Sequence, residues 1–194
     1  MKNLAIIKPA ITLQLSNFHM KGECIIEQIR KIKDLAGVFV DNDAYGEMDN
    51  EQIIYSVQSW FPVEEGTEGG LFWGNTTIMP GKVGDEYFTT KGHFHSKRES
   101  AEIYLCIEGN GMLILMDQNR KCWGEEMYPG SLHYIPGNVA HRTANIGNSP
   151  LTFGACWPAD AGHNYEEIQQ DGFSARLFEK AGKPILIETR ERRK

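Results

Sequence analysis

Turn residues constrain this chain more than any other feature. From residue 53 to residue 157 glycine and proline recur at short intervals: Pro62, Gly66, Gly69-Gly70, Pro80-Gly81, Gly84, Gly92, Gly109, Gly111, Gly124, Pro129-Gly130, Pro136-Gly137, Gly147 and Pro150. No 3.6-residue apolar period persists through that stretch. The runs between the turns are short and rich in Ile, Val, Tyr, Phe and Thr, the residues that suit a pleated, half-buried surface. Strands are therefore expected at 53–60, 71–79, 86–90, 102–108, 111–116, 132–135, 140–146 and 151–157. Many short strands at this spacing define an all-β chain folded as a sandwich or barrel.

The flanks add little helix. Residues 23–37 mix two periods, as a strand running into a helical turn that Gly37 caps would. Residues 41–50 suit a short acidic turn or helix, and 164–171 a helical turn stopped by Gly172. Without an internal repeat, linker or low-complexity segment, residues 1–194 are expected to form one domain, with the motif-bearing core at about 53–157.

The formal net charge of −6 excludes a global field that would gather nucleic acid. The one dense basic run, Arg190, Arg192, Arg193 and Lys194, is expected to be a solvated end. No stretch approaches 18 apolar residues, so no membrane partner is expected. The apolar start, Leu4-Ala5-Ile6-Ile7, is too short for a signal-peptide core. Cys24, Cys106, Cys122 and Cys156 show no paired spacing, and in a cytoplasmic chain they are expected as reduced thiols.

Chemistry concentrates in Gly92-His93-Phe94-His95 and Ala101-Glu102-Ile103-Tyr104. Alternate side chains of a strand share a face, so His93 and His95 project together, as do Glu102, Tyr104 and Cys106. A carboxylate turned inward beside imidazoles needs a charge partner, and a metal ion supplies one. Further on, Gly130, Pro136, Asn138, His141 and Asn145 bring a third imidazole onto another short strand.

These two segments resemble the two cupin motifs, the first carried by His93, His95, Glu102 and Gly109 and the second by Gly130, Pro136, His141 and Asn145. Asn138 replaces the usual glycine, and asparagine tolerates the left-handed conformation next best. Six residues separate His95 from Glu102, where most cupins have three or four. ProGlyLysValGly at 80–84, ThrLysGlyHisPheHis at 90–95, AlaHisArgThrAlaAsnIleGly at 140–147 and ProAlaAspAlaGlyHisAsnTyr at 158–165 are similar to the cupin-type (archaeal-type) glucose-6-phosphate isomerases. AspLeuAlaGlyValPheValAsp at 34–41 is similar too.

The resemblance implies a cupin fold, a double-stranded β-helix or jelly-roll-like barrel with a few short helices. It implies that His93, His95, Glu102 and His141 ligate a divalent transition metal. Three nitrogens and one oxygen leave two positions of a six-coordinate ion open, which suits Fe(2+) first, with Mn(2+), Ni(2+) or Zn(2+) as alternatives. Glu102, Tyr104 and His163 are the implied catalytic groups. Tyr55, Thr76, Thr90, Gly92 and Tyr165 are the implied substrate contacts. Trp157 stands where relatives often have tyrosine. His133 and His19 match no motif position.

The activity implied is interconversion of glucose 6-phosphate and fructose 6-phosphate, a step of glycolysis and gluconeogenesis, with a small sugar phosphate as the partner. Mannose-6-phosphate isomerisation is the nearest alternative. A non-haem-iron cupin oxygenase and a non-catalytic sugar-binding cupin are the alternatives from other classes. Relatives of this kind are homodimers, and the apolar 4–15 region would suit a strand crossing the interface.

Overall fold

The computed structural model describes residues 4–189. The basic run Arg190, Arg192, Arg193 and Lys194 lies outside the described residues. The chain order is β1 (Ile11–Leu13), β2 (Met20–Gly22), β3 (Ile25–Lys31), a 3-10 turn (Ile32–Leu35), α1 (Asn42–Gly46), β4 (Ile53–Trp60), β5 (Leu71–Ile78), β6 (Lys82–Val83) and β7 (Glu86–Tyr87). Then follow β8 (Glu102–Glu108), β9 (Gly111–Met116), β10 (Cys122–Met127), β11 (Leu132–Ile135), β12 (Ala140–Asn145), β13 (Leu151–Pro158), α2 (Glu166–Asp171), β14 (Ala175–Lys180) and β15 (Lys183–Glu188).

Six strands form one antiparallel sheet in the order β11-β8-β13-β5-β4-β3, and three form a second in the order β10-β9-β12. The inner faces meet in a common core, where Ile54, Ile78 and Phe153 of the large sheet join Leu113 and Leu115 of β9. Burying each such side chain contributes roughly 1.5–3 kcal/mol. The opposite face of β9, with Ile114 and Met116, is covered by Phe94, Phe173 and Leu177. A strand buried on both faces has no reason to alternate, which explains the unbroken Met112–Met116 run. The all-β expectation holds, and the helical content is α1, α2 and the 3-10 turn among the described residues.

Seven expected strands appear as β4, β5, β8, β9, β11, β12 and β13. The expected strand at 86–90 shrinks to Glu86–Tyr87, and Thr89 keeps only a single bridge to Ala144. Strand β10 was not expected: its sequence, CysTrpGlyGluGluMet, places little but Met127 in the core and pairs along β9 as an edge. The hairpin β14–β15 was missed as well. Its Ala181-Gly182 turn puts both residues at positive φ (50° and 74°), a conformation that alanine seldom advertises.

The flanking expectations are mostly met. Strand β3 runs into the 3-10 turn, with Gly37 beyond it at φ 78°. Helix α1 is capped by Asp41, whose carboxylate accepts the Ala44 N–H at 2.9 Å. Helix α2 stops at Gly172, φ 63°. Of residues 4–15 only Ile11–Leu13 is a strand, and it pairs with β2 in a small hairpin. That hairpin is seated on the large sheet, because the Met20 N–H donates to Gln58 Oε1 at 2.8 Å. No helix among the described residues is long and apolar enough to cross a membrane.

Candidate active site

Strand parity assembles the centre. Glu102, Tyr104 and Cys106 alternate inward on β8, while Ile103 and Leu105 face out. His141 lies inward on β12, and an isolated bridge ties its backbone to His93, with N–O distances of 3.2 and 3.1 Å. The donor atoms of His93, His95, Glu102 and His141 all lie within 4.8 Å of one another. His141 Nε2 stands 3.0 Å and His95 Nε2 3.3 Å from Glu102 Oε2.

Burial makes this arrangement informative. His93 Nε2, His95 Nε2, His141 Nε2 and Glu102 Oε2 are all buried without a hydrogen-bond partner. Four orphaned donors around one point would be costly unless something cationic satisfies them. A divalent ion with nitrogen and oxygen ligands fits that demand. His95 Nδ1 is within 2.9 Å of the Ser100 carbonyl, which fixes the tautomer that leaves Nε2 free to ligate.

At His95 burial lowers the pKa, but the adjacent Glu102 carboxylate outweighs it and the net shift is upward. Burial, with His141, His163 and His95 nearby, holds His93 well below the usual histidine range, so its ring stays neutral and able to ligate. Burial pushes the Glu102 carboxyl up, but the close approach of His141 and His95 outweighs it and keeps the group ionised. Burial, then Glu102 and Tyr165, drives Tyr104 well above the ordinary phenol range, so its hydroxyl remains a donor. Its ring packs on Phe153 (centroids 4.7 Å apart) and edge-on to His141 at 5.7 Å.

Tyr55, Thr76, Thr90, Gly92, His93, Glu102, Tyr104, His141, His163 and Tyr165 all line one cavity of about 970 Å³. His163 and Tyr165 stack nearly parallel (13°) at the solvent edge, with His163 4.5 Å and Tyr165 5.3 Å from the His93 ring. Packing around the ring lowers the His163 pKa. Thr90 Oγ1 accepts the Thr143 N–H at 3.1 Å, which leaves its own O–H free to donate. Gly92 has φ 78°, and a Cβ there would come within 2.6 Å of the Phe173 ring. Its glycine is therefore required by backbone and packing before any ligand is considered.

The remaining singled-out residues are accounted for. Asn138 adopts φ 65°, the left-handed turn its motif position requires. His133 is satisfied between Ser131 Oγ and Glu125 Oε2, both at 2.8 Å. His19 rests 3.0 Å from Gln58. Trp157 stacks edge-on against Phe72 in the cavity wall. The cysteines are free; burial lifts the Cys106 thiol to about 11, so it is a packing residue. Sequence reasoning missed Arg30, Lys91, Arg142 and Arg176, which also border the cavity.

The fold and the centre define a cupin-type barrel with a three-histidine, one-carboxylate cation site. The glucose-6-phosphate isomerase (GPI) family profile matches residues 29–187. The glucose-6-phosphate isomerase of Thermococcus kodakarensis is 42% identical over 162 residues, covering 82% of this chain and 84% of that one. That of Pyrococcus furiosus is 39% identical over 165 residues, covering 84% and 86%. That of Sinorhizobium medicae is 35% identical over 146 residues, covering 74% and 67%. The chain belongs to the glucose-6-phosphate isomerase family.

Proposed function

We propose that this cavity interconverts fructose 6-phosphate and glucose 6-phosphate with a divalent transition metal, Fe(2+) foremost, held by His93, His95, Glu102 and His141. The observation that carries the reading is the set of four buried, unpartnered donor atoms at the floor of a cavity lined by hydroxyls. A divalent cation bound there supplies Lewis-acid polarisation of the sugar carbonyl.

The chain's own groups do the rest. Glu102 takes a proton from carbon 1 of fructose 6-phosphate; the released pair forms the carbon 1–carbon 2 double bond, and the carbonyl pair moves onto oxygen 2. Returning the proton to carbon 2 while oxygen 1 loses its proton gives glucose 6-phosphate. His163, kept neutral, moves the hydroxyl proton between the two oxygens. Tyr104 donates to a substrate oxygen, Tyr55 and Tyr165 face the substrate, and Thr76, Thr90 and the Gly92 backbone receive the phosphate end. Positioned proton transfer of this kind contributes roughly 10²–10⁴-fold. A coupled assay of fructose 6-phosphate beside mannose 6-phosphate tests the reading; faster turnover of mannose 6-phosphate would reassign the substrate.

We further propose a single-domain, cytoplasmic homodimer. On the outer face of the large sheet Leu132 pairs with Leu105, and Tyr134 with Ile103. These side chains stand exposed (67%, 37%, 63% and 44%), an apolar patch of the kind that subunit contacts cover. Sedimentation of the purified protein at the mass of one chain would reject the dimer.

A further inference from the structure

A phosphate dianion entering the cavity needs fixed positive charge, and four cationic side chains border the space: Arg30, Lys91, Arg142 and Arg176. Two are already committed. Arg176 pairs with buried Glu86 at 3.0 Å and also donates to the Val38 carbonyl. Arg142 lies over the Phe173 ring at 4.6 Å and donates one Nη–H to the Ala175 carbonyl at 3.1 Å, while its buried Nε has no partner. Both hold the β14 strand against the barrel.

Of the four only Arg176 has a carboxylate partner among the described residues, and Arg30 and Lys91 lie away from the β14 strand that Arg142 and Arg176 support. They differ in how they are held. Lys91 extends from the loop between Thr90 and Gly92, with no side-chain bond among the described residues. Arg30 sits on β3 directly across from Tyr55 of β4, and its guanidinium donates to Gln28 Oε1 at 2.9 Å. The register slips between Arg30 and Lys31. Successive side chains of a strand point to opposite faces, so the two neighbouring cations part. Lys31 turns out to Glu51, 2.5 Å away, and Arg30 stays on the cavity side. The electrostatics of the neighbours register the same charge. Burial raises Tyr55 to about 12 with Arg30 acting against it, and Arg30 likewise acts against the rise at Tyr165.

We propose that Arg30 is the phosphate-reading cation of this cavity: its guanidinium, aimed by Gln28 and set beside Tyr55, pairs with the terminal phosphate and makes the site prefer phosphorylated over neutral sugars. The planar fork of arginine suits two phosphate oxygens at once, which the point charge of Lys91 does not. The assignment rests on the sugar-phosphate reading above and deepens it.

The test compares Arg30→Gln, Arg30→Lys and Lys91→Gln with the wild-type enzyme. Arg30→Gln raises KM for fructose 6-phosphate about tenfold to a hundredfold, the loss expected for a charge-assisted hydrogen bond, with kcat and metal content little changed. Arg30→Lys recovers part of the loss, and Lys91→Gln costs less than Arg30→Gln. Calorimetric titration with orthophosphate shows binding to the wild type that Arg30→Gln weakens. An Arg30→Gln enzyme with wild-type KM and wild-type orthophosphate affinity overturns the proposal, as does a larger effect at Lys91. If the wild type fails to turn over fructose 6-phosphate, the isomerase reading falls, while the orthophosphate titration still decides the role of Arg30. If Arg30→Gln fails to fold, Gln28→Ala, which releases the guanidinium without removing its charge, raises KM by a smaller factor. An unchanged KM there overturns the assignment.

Discussion

At the floor of the cavity the ligand atoms of four side chains between residues 93 and 141 converge within 4.8 Å, and one facing atom of each is buried without a hydrogen-bond partner. At its mouth the proposed substrate contacts come from residues scattered between 30 and 165, on β3, β4, β5, the 90–92 loop and the segment before α2. The difference follows from what each end must do. A metal fixes short distances and a neutral, oriented imidazole at each ligand, so the sequence that builds it has little freedom. A phosphate accepts many hydrogen bonds of similar worth, so its contacts can be gathered from wherever the fold passes. Losing one ligand should therefore disable the floor, whereas losing one contact should only weaken the mouth.

The largest effect belongs to the floor. His141→Ala should remove most of the bound metal and the activity with it, while Tyr104→Phe leaves metal occupancy near wild type. Elemental analysis of both proteins checks the order, and greater metal loss in Tyr104→Phe would invert these roles.

Next comes Glu102, which is placed to be both ligand and base. Glu102→Gln should lower kcat per bound metal by at least about two decades, and isomerisation in heavy water should place deuterium on the product carbon. Activity must be normalised to metal, because glutamine is the poorer ligand. Wild-type turnover per metal with no deuterium would transfer the reaction to a direct hydride shift.

At the mouth the effects shrink. Thr90→Val removes one hydroxyl and should raise KM by about twofold to tenfold, the worth of a single neutral hydrogen bond. A hundredfold rise from this one neutral hydroxyl, as large as that expected for the charged Arg30, would mean that single neutral contacts at the mouth are not interchangeable. Smallest of all is the ion pair that ties the 96–101 loop to the segment carrying His163. Lys97 meets Asp160 at 2.5 Å on the surface. Lys97→Ala should change kcat/KM by less than about fivefold, since exposed pairs contribute roughly 0.2–1 kcal/mol.

The same contrast explains what could be read from the sequence. The four ligands were legible because strand parity and motif spacing leave few alternatives. The core strands were legible for the same reason: turn residues bound them on both sides. Strand β10 was not, since an edge strand with Gly124 and two glutamates carries no core pattern. The β14–β15 hairpin hid behind an Ala-Gly turn and a proline at position 184, which an outer strand tolerates. Arg30 was invisible because nothing local marks an inward arginine on a strand whose neighbours Gln28 and Ile29 are exposed. Its meaning comes only from Tyr55, brought across by pairing. The extra spacer residues after His95 also acquire a purpose only in three dimensions. There Lys97 and Arg98 reach Asp160 and Glu167 on either side of His163 and Tyr165.

The central claim is that isomerisation depends on a removable metal at the four-ligand floor. It is tested most directly by following fructose 6-phosphate conversion before chelation, after chelation and after adding back Fe(2+) or Mn(2+), with metal content measured on each sample. Activity should fall in step with metal, return on reconstitution and yield glucose 6-phosphate. Full conversion by protein shown to be metal-free would contradict it.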